Sequence, residues 1–444
     1  MALPRGFSLV PTAMTAYASI TSLIHLVQSA SGVSIDSRDD MQNKVFWALK
    51  GPRFDANDFV NDVLKAGALH VVSDDVRWHE HDKVSVVENS LDALQRVAQG
   101  VRRSWSCPVL ALTGSNGKTT TKELIRDVLA TTFRVHATTG NLNNHIGVPL
   151  TLLNAPGNPE LVVVEMGANH QREIALLCEL AEPSHGCITN IGLAHLEGFG
   201  GEEGVFRGKK ELFDWIASND GTAFVQMDDP KVVRAARDVQ NMAPIATQQW
   251  RWDANHASTD AIEHESGIRI EVGMEGSYNL PNYVAAWTIG KHFGVSEEQA
   301  IQALQAYAPT NHRSQLVQTE RNRVLLDAYN ANPSSTTAAL QAFAANGHER
   351  PLLILGDMAE LGHESLNAHQ ALVNLAAALK MELWTVGQWY GQTQDPAEDS
   401  SWQHAHFSSV ESLQKALTDD PITHRQILVK GSRGMAMEQL MPFL

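Results

Sequence analysis

The sequence predicts an α/β protein of three domains, and two observations support this fold class. A chain of 444 residues is long enough for two to four domains. Short apolar runs typical of strands alternate with helical stretches along the chain, which indicates mostly parallel sheets covered by helices. The runs form three blocks, which predict domains at 1–103, 104–308 and 309–444, with 1–13 as an extension outside the fold.

The three blocks differ in their predicted elements. The first is a small α/β domain with strands at 45–49 and 68–72. The second has strands at 108–113, 161–165, 186–190 and 223–226, and ends with helices at 282–290 and 297–307. The third has strands at 324–327, 352–355, 383–386 and 427–430. Helices between these last strands predict a smaller doubly wound, Rossmann-like domain, in which ligands bind at the carboxyl ends of the strands.

The composition excludes several classes of protein. Lys and Arg number 34 against 50 Asp and Glu, and the net charge of −16 argues against a general nucleic-acid binder, which needs a basic face. The 3 cysteines include no CxxC pair and predict reduced thiols. No apolar run approaches the ~18 residues of a membrane helix. We therefore expect a cytoplasmic protein with small-molecule substrates, no nucleic-acid partner, no membrane insertion, and a monomer as the simplest state.

The strongest chemical signal is the segment Thr-Gly-Ser-Asn-Gly-Lys-Thr-Thr at 113–120, the phosphate loop, where a strand turns through glycines into a helix. Its glycines let backbone N–H groups approach an anion, and the helix adds its positive N-terminal end. Lys118 can reach β- and γ-phosphate oxygens, and Thr119 can bind Mg²⁺. The loop predicts an ATP site, in a shortened variant because Leu112 stands where the general pattern has glycine. The ATP-binding candidates here are Gly114, Ser115, Asn116, Gly117, Lys118, Thr119 and Thr120.

Two polar residues follow strands of the same predicted sheet. Glu165 ends the run at 161–165, at the sheet edge where a Mg²⁺ ligand is expected, since a hard cation prefers carboxylate oxygens. His195 lies in a glycine-rich loop after the next strand. From the residues alone, a structural role and a ligand role for His195 are equally open.

Two further segments are ambiguous by themselves. Asn143 and Asn144 lie in an amide-rich segment whose side chains either cap backbone groups or contact a ligand. Lys209 lies in a segment expected to open a helix near Arg207 and, taken alone, belongs to a solvated charge cluster.

The phosphate loop resembles that of the Mur ligases and folylpolyglutamate synthases, which are ATP-dependent amide-forming enzymes, and the resemblance continues through the polar segments that follow it. It implies that Asn143 and Asn144 lie beside the reacting phosphate and that Glu165 binds Mg²⁺. It also implies that His195 approaches a second Mg²⁺ and that Lys209, with Lys210 as the alternative, reacts with CO₂ to form a carbamate, an anionic metal ligand. The catalytic residues that it implies are Lys118, Asn144, His195 and Lys209.

Segments further along the chain extend the resemblance to the nucleotide. The segment Gly-Ser-Tyr-Asn-Leu-Pro-Asn implies that its last residue, Asn282, contacts adenine. Tyr278 in this segment stands where the family usually has His. The family usually has a Gly-Arg pair before the next strand. This chain has the arginine, Arg313, and has His312 in place of the glycine. Asp327, at a strand end, is a candidate for the ribose hydroxyls.

Within the family, the segment Asp-Ala-Tyr-Asn-Ala-Asn-Pro-Ser at 327–334 is similar to members that join D-alanyl-D-alanine to a UDP-muramoyl-tripeptide. The segment at 34–38 resembles a UDP-binding domain that folylpolyglutamate synthases lack. The resemblance implies an acyl phosphate, made from the tripeptide carboxylate and ATP, which the dipeptide amine attacks. Substrate-binding candidates are Ser37, Arg38, Asn143, Tyr329 and Asn332. Another Mur ligase, a folylpolyglutamate synthase and a non-catalytic nucleotide-binding relative are the alternatives.

Overall fold

The computed structural model describes residues 17–254, 260–309, 313–347, 349–396 and 402–444. The predicted extension at 1–13 and His312 lie outside these ranges. The chain divides into two compact units. One contains the described residues up to Ser106 together with Pro149–Asn158, and the other contains Cys107–Val148 together with Pro159–Leu444. The predicted α/β class is confirmed, and the three domain boundaries stay a prediction.

The first unit contains a parallel four-stranded sheet. Its elements are α1 (Ile20–Ser29), β1 (Val33–Ser34), β2 (Val45–Trp47), β3 (Lys50–Gly51), β4 (Phe54–Asp55), α2 (Val60–Lys65), β5 (His70–Ser73), β6 (Val84–Val86) and α3 (Ser90–Arg103). The sheet order is β1-β2-β5-β6, and β3 and β4 form a separate hairpin. The side chain of Asn154 bonds both backbone groups of Val33, at 2.9 and 3.0 Å, which joins the segment Pro149–Asn158 to this unit.

The second unit begins with a six-stranded parallel sheet. Its elements are β7 (Val109–Thr113), α4 (Lys118–Ala130), β8 (Val135–Ala137), β9 (Leu161–Glu165), α6 (Glu173–Ala181), β10 (His185–Ile188), α7 (Leu196–Phe199), α8 (Glu202–Ser218), β11 (Thr222–Gln226), α9 (Pro230–Ala235) and β12 (Asn241–Ile245). Between β8 and β9 the chain forms α5 (Gly147–Leu153), which starts in this unit and belongs to the first unit from Pro149 onward. The order is β12-β11-β10-β7-β9-β8. Every residue of β7 and β9 is buried, as expected for strands covered on both faces, so their carboxyl ends supply the polar edge of the sheet.

A small antiparallel sheet, which the sequence analysis does not predict, follows in the chain. It comprises β13 (Trp250–Asp253), β14 (Ala261–His264) and β15 (Arg269–Glu271), and precedes α10 (Leu280–His292) and α11 (Glu297–Ala306). Trp250, Ile262 and Ile270 join the buried cluster that covers α4 and α10. The sheet therefore closes one side of the core next to the phosphate loop.

A second six-stranded sheet forms the rest of this unit. Its elements are β16 (Gln315–Gln318), β17 (Arg323–Asp327), α12 (Pro333–Ala345), β18 (Pro351–Gly356), α13 (Ser365–Ala378), β19 (Glu382–Val386), β20 (His404–Phe407), α14 (Val410–Asp419) and β21 (Gln426–Lys430). The order is β16-β17-β21-β18-β19-β20, with only β16 antiparallel to its neighbour. Buried clusters cover both faces, and the register places Asp327 beside Lys430 at the carboxyl ends of β17 and β21.

The helix that contains Lys209 begins earlier than the sequence predicts. α8 starts at Glu202 rather than near Arg207, directly after Gly201 with its left-handed φ of 102°. Lys209 is consequently in the helix interior and only 1% exposed, so its assignment to a solvated charge cluster is wrong. No helix in the described part of the chain has both the length and the apolar character needed to cross a membrane.

Candidate active site

The phosphate loop connects β7 to α4 through two glycines in backbone conformations that side chains rarely adopt. Gly114 has φ 151° and Gly117, at the N-terminus of α4, has φ 77°. A Cβ atom on Gly114 would lie 2.0 Å from Thr189 Oγ1, and one on Gly117 would lie 2.6 Å from Asn282 Oδ1. Both positions therefore require glycine. Because glycine has no side chain, neither residue blocks the approach of an anion to the N-terminus of α4.

Lys118 folds back over the phosphate loop. Its Nζ donates to the carbonyl oxygens of Gly114 and Ser115, at 2.6 and 3.3 Å. Burial lowers the pKa of Lys118 below its ordinary value, and the nearby Glu165 carboxylate opposes this effect. A phosphate group placed on the loop would replace these carbonyl partners with stronger, charged acceptors.

Glu165 is a buried carboxylate, 1% exposed, at the end of β9. One oxygen accepts from Thr119 Oγ1 at 2.9 Å, the other accepts from Asn143 Nδ2 at 2.9 Å, and Lys122 Nζ lies 3.8 Å away. Across the described ranges there is no group of three His, Cys, Asp or Glu side chains that could hold a metal ion. The hydroxyl and the carboxylate suit Mg²⁺, which takes few protein oxygens and completes its shell with phosphates and water.

A cavity of about 730 Å³ brings most of the predicted site residues together. Of the residues singled out from the sequence, it is lined by Ser115, Asn116, Gly117, Lys118, Thr119, Thr120, Asn143, Asn144, Glu165, His195, Asn282, Arg313, Asp327, Tyr329 and Asn332. Gly114 and Lys209 do not line it. The cavity thus lies between the carboxyl ends of the strands of the β7–β12 sheet and those of the β16–β21 sheet.

The predicted adenine side is a buried hydrogen-bond network. Asn282 Oδ1 accepts from Thr121 Oγ1 at 3.0 Å, and Asn282 Nδ2 donates to Asn279 Oδ1 at 3.1 Å. Tyr278, which replaces the usual family His, shares a 2.8 Å hydrogen bond with Ser314 Oγ. Burial raises the pKa of the Tyr278 phenol, so this side chain remains a neutral hydrogen-bonding group at ordinary pH.

Asp327 has a charged partner that the sequence analysis did not assign. Lys430 Nζ donates to Asp327 Oδ2 at 2.6 Å and to Asn330 O at 3.2 Å, and the lysine side chain is only 3% exposed. The sequence feature that could have indicated this partner is Lys430 itself, a lysine that ends a strand of mostly apolar residues. Beside this pair, the Arg313 guanidinium stacks 3.6 Å from the centre of the Tyr329 ring. All four side chains line the same cavity as the phosphate loop, and Arg313 adds a positive charge beside the Asp327–Lys430 ion pair.

Two of the predicted asparagines also have local structural roles. Asn332 Nδ2 donates to Asn116 Oδ1 of the phosphate loop at 2.6 Å, while Asn332 Oδ1 caps α12 by accepting from Ser335 N at 2.9 Å. Asn144 Oδ1 accepts from the N–H groups of Ile146 and Gly147 at the start of α5. The capping alternative considered for Asn144 is therefore present, and its amide still lines the cavity.

His195 and Lys209 lie in different surroundings. His195 lines the cavity, and its Nδ1 is hydrogen-bonded to a carboxylate oxygen of Glu360. Lys209 Nζ lies 3.5 Å from Ala168 O and 5.3 Å from the centre of the Phe199 ring. Burial, with a smaller effect from the positive charge of Lys118, lowers the pKa of Lys209 well below its ordinary value. These surroundings favour the neutral form of the amine.

Ser37 and Arg38 belong to the first unit. Arg38 is exposed and forms an ion pair with Asp36 at 2.6 Å. The pair lowers the pKa of Asp36 to about 2, chiefly through the side-chain hydrogen bond from Arg38. A guanidinium held in this way still presents donors to solvent, and its role toward a substrate stays a prediction.

Comparison with known proteins identifies the family. The Mur ligase middle domain matches residues 112–290, and the Mur ligase glutamate ligase domain matches residues 312–433. The chain is 33% identical over 431 residues to a UDP-N-acetylmuramoyl-tripeptide–D-alanyl-D-alanine ligase of Bacillus subtilis (strain 168), with 92% of each chain covered. The protein belongs to the Mur ligase family, which confirms the resemblance seen in the sequence.

Solved structures agree with this assignment. A crystal structure of MurF from Acinetobacter baumannii is 30% identical, with a TM-score of 0.80 and 92% of each chain covered. The MurF ligase from Thermotoga maritima in complex with ADP is 25% identical, with a TM-score of 0.81, covering 94% of this chain and 97% of that one. Among the Mur ligases, the chain is thus similar to those named for D-alanyl-D-alanine addition.

Proposed function

We propose that this protein joins D-alanyl-D-alanine to UDP-N-acetylmuramoyl-tripeptide at the expense of ATP, in peptidoglycan precursor synthesis. The observation that carries the proposal is that residues of both matched domains line one cavity. Lys118 and Glu165 belong to the middle domain, and Asp327, Tyr329 and Lys430 belong to the glutamate ligase domain. An amide ligase must bring a phosphate donor, a carboxylate and an amine to one point. The substrates follow from the names of the relatives that match over most of their length.

The proposed reaction needs positioning and charge neutralisation rather than a nucleophile from the protein. The phosphates of ATP lie on the loop amides and the N-terminus of α4, and Lys118 transfers its hydrogen bonds from loop carbonyls to phosphate oxygens. The tripeptide carboxylate attacks the γ-phosphorus, which gives an acyl phosphate and ADP. The amine of the dipeptide then attacks the acyl carbon, loses a proton, and displaces phosphate.

Mg²⁺ supplies additional neutralisation of the phosphate charge when it is bound. Thr119 and Glu165 are the residues that would hold it, since both are hard oxygen donors and lie 2.9 Å apart. Lys122 Nζ, 3.8 Å from the same carboxylate, offsets part of its negative charge. Asn143 fixes the second carboxylate oxygen and so orients the group.

The remaining assignments are part of the same proposal. We assign Asn282 to adenine, Asp327 to ribose, and Arg313 to the nucleotide phosphates. A carbamate on Lys209 is supported by the burial of this side chain, which lowers the pKa of the amine and so favours the neutral form that attacks CO₂. A second Mg²⁺ near His195 is part of the same proposal. Ser37 and Arg38 are assigned to the UDP moiety. The proposal includes a cytoplasmic monomer.

The test is phosphate release from ATP with defined pairs of acceptor and amine. We expect release only when UDP-N-acetylmuramoyl-tripeptide and D-alanyl-D-alanine are both present. Controls replace the dipeptide with a diamino acid or with glutamate, and the acceptor with the dipeptide-stage precursor or with a folate. Release with a different pair would assign the protein to another ligase of this fold, and no release with any pair would indicate a non-catalytic relative.

A further inference from the structure

Two side chains from distant parts of the second unit meet at the edge of the cavity. His195 precedes α7, and Glu360 lies in the loop between β18 and α13, 165 residues further along the chain. Nδ1 of the imidazole and Oε2 of the carboxylate form a hydrogen bond. Both residues have left-handed backbones, with φ 53° for His195 and 62° for Glu360. Residues other than glycine adopt this conformation at an energetic cost, which commonly marks functional positions.

Core packing does not account for the strained backbone of Glu360. Its side chain is 54% exposed, whereas that of His195 is 23% exposed, so the histidine is the more enclosed partner. The conformation directs an exposed carboxylate to a residue that lines the cavity. The contact therefore serves the cavity rather than the stability of the loop.

The loop that carries Glu360 is fixed by buried groups that do not involve His195. The carboxylate of Asp357 accepts from the N–H groups of Trp389 and Tyr390, at 2.9 and 3.0 Å. The fully buried His369 accepts from Met358 N at 2.9 Å. These bonds fix the chain just before Glu360, and Leu361, which follows it, is buried in the core cluster beside the second sheet, so Glu360 is held between two fixed positions.

The two chain segments also pack against each other beside the polar contact. Leu196, next to His195, packs against the buried cluster that contains Met358 and Leu361. A Cβ atom on Gly362 would lie 3.5 Å from Glu197. Apolar packing thus defines the position of α7 relative to the loop, and the hydrogen bond to Glu360 orients the imidazole within it.

We propose that Glu360 is a positioning residue that holds the His195 imidazole through Nδ1 and presents Nε2 to the ligand bound in the cavity. The inference rests on the proposed function. A carboxylate partner on one ring nitrogen fixes the tautomer, so that Nδ1 carries the proton and Nε2 offers its lone pair. The imidazole of His195, in the Mur ligase middle domain, is thereby oriented by a residue of the glutamate ligase domain.

The kinetic test uses Glu360→Gly, since glycine removes the carboxylate and accepts the left-handed backbone without strain. Glu364→Gln is the matched control, because that carboxylate lies in the same loop and contacts the exposed His363 instead. We expect kcat to fall about 10–100-fold in Glu360→Gly, as for lost partners of metal-binding histidines, with the KM for ATP nearly unchanged. In a His195→Ala background, Glu360→Gly should cause no further fall. Equal behaviour of the variant and control, or additive losses, would overturn the proposal.

A spectroscopic readout separates this inference from the proposed function. In protein labelled with ¹⁵N-histidine, the His195 signals are identified by their loss in His195→Ala. At a pH where the ring is neutral, we expect them to report a protonated Nδ1 in the native protein and a shift toward protonated Nε2 in Glu360→Gly. An unchanged spectrum would refute the positioning role even if ligation is observed. A shifted spectrum in a protein without ligase activity would support the positioning role and reject the proposed function.

Discussion

Replacing Gly117 with alanine perturbs the phosphate loop in a way whose magnitude can be worked out from the structure. Gly117 has φ 77°, and a left-handed alanine costs about 1–2 kcal/mol. Its Cβ would lie 2.6 Å from Asn282 Oδ1, which accepts from the fully buried Thr121 hydroxyl. Displacing Asn282 leaves that hydroxyl unsatisfied, at a cost of about 1–3 kcal/mol. We therefore expect Gly117→Ala to lower the free energy of unfolding by about 2–5 kcal/mol and to weaken ADP binding.

Gly140→Ala is the matched control for this change. Gly140 also has a left-handed φ, 56°, but no atom lies within 4 Å of the position that its Cβ would occupy. It should therefore show only the backbone cost of about 1–2 kcal/mol. Urea unfolding gives both free energies, and calorimetry gives both ADP affinities. Equal destabilisation of the two variants, or unchanged ADP affinity in Gly117→Ala, would refute the proposed packing of the loop against Asn282.

Three further changes test separate parts of the structure. Lys118→Ala should abolish ligation with the urea midpoint nearly unchanged, and near-normal ADP release would contradict its role. Lys430→Met leaves the carboxylate of Asp327 without its cation, so we expect a loss of about 3–5 kcal/mol in urea unfolding, partly restored by adding Asp327→Asn; no loss would refute the pair. Burial, with a contribution from His292, lowers the pKa of His185 from 6.5 to about 4. The unfolded chain then binds the proton first as pH falls, so at pH ~5 wild type should lose about 2 kcal/mol more than His185→Gln, and equal pH profiles would contradict this.

The parts of the fold and site that the sequence predicted correctly are those governed by local patterns. The apolar run of β9 closed by Glu165 and the glycines before Lys118 specify strand ends and a phosphate loop without reference to distant residues. The strands β13–β15 were not predicted, because they are three or four residues long and mix charged with apolar side chains.

The parts that the sequence did not predict depend on contacts between distant segments. From the sequence, Lys209 is a charged residue in a predicted helix, which is typical of an exposed position. Only the packing of α8 against Phe199 and Ala168 shows that it is buried. Glu360 reaches His195 across 165 residues, and no pattern local to either residue indicates their contact. The burial of Lys209 thus follows from the packing of α8, and the contact of Glu360 with His195 follows from how the β16–β21 sheet and its loops meet the β7–β12 sheet.

The most direct test of the central claim is the mass of the reaction product. The protein is incubated with ATP, Mg²⁺, UDP-N-acetylmuramoyl-tripeptide and D-alanyl-D-alanine, and the nucleotide-linked product is examined by mass spectrometry with Lys118→Ala as the control. We expect the acceptor to gain the mass of one dipeptide less one water, with one ADP formed for each product, and no gain in Lys118→Ala. An acceptor of unchanged mass, or one extended by a single amino acid in preference to the dipeptide, would contradict the proposed function.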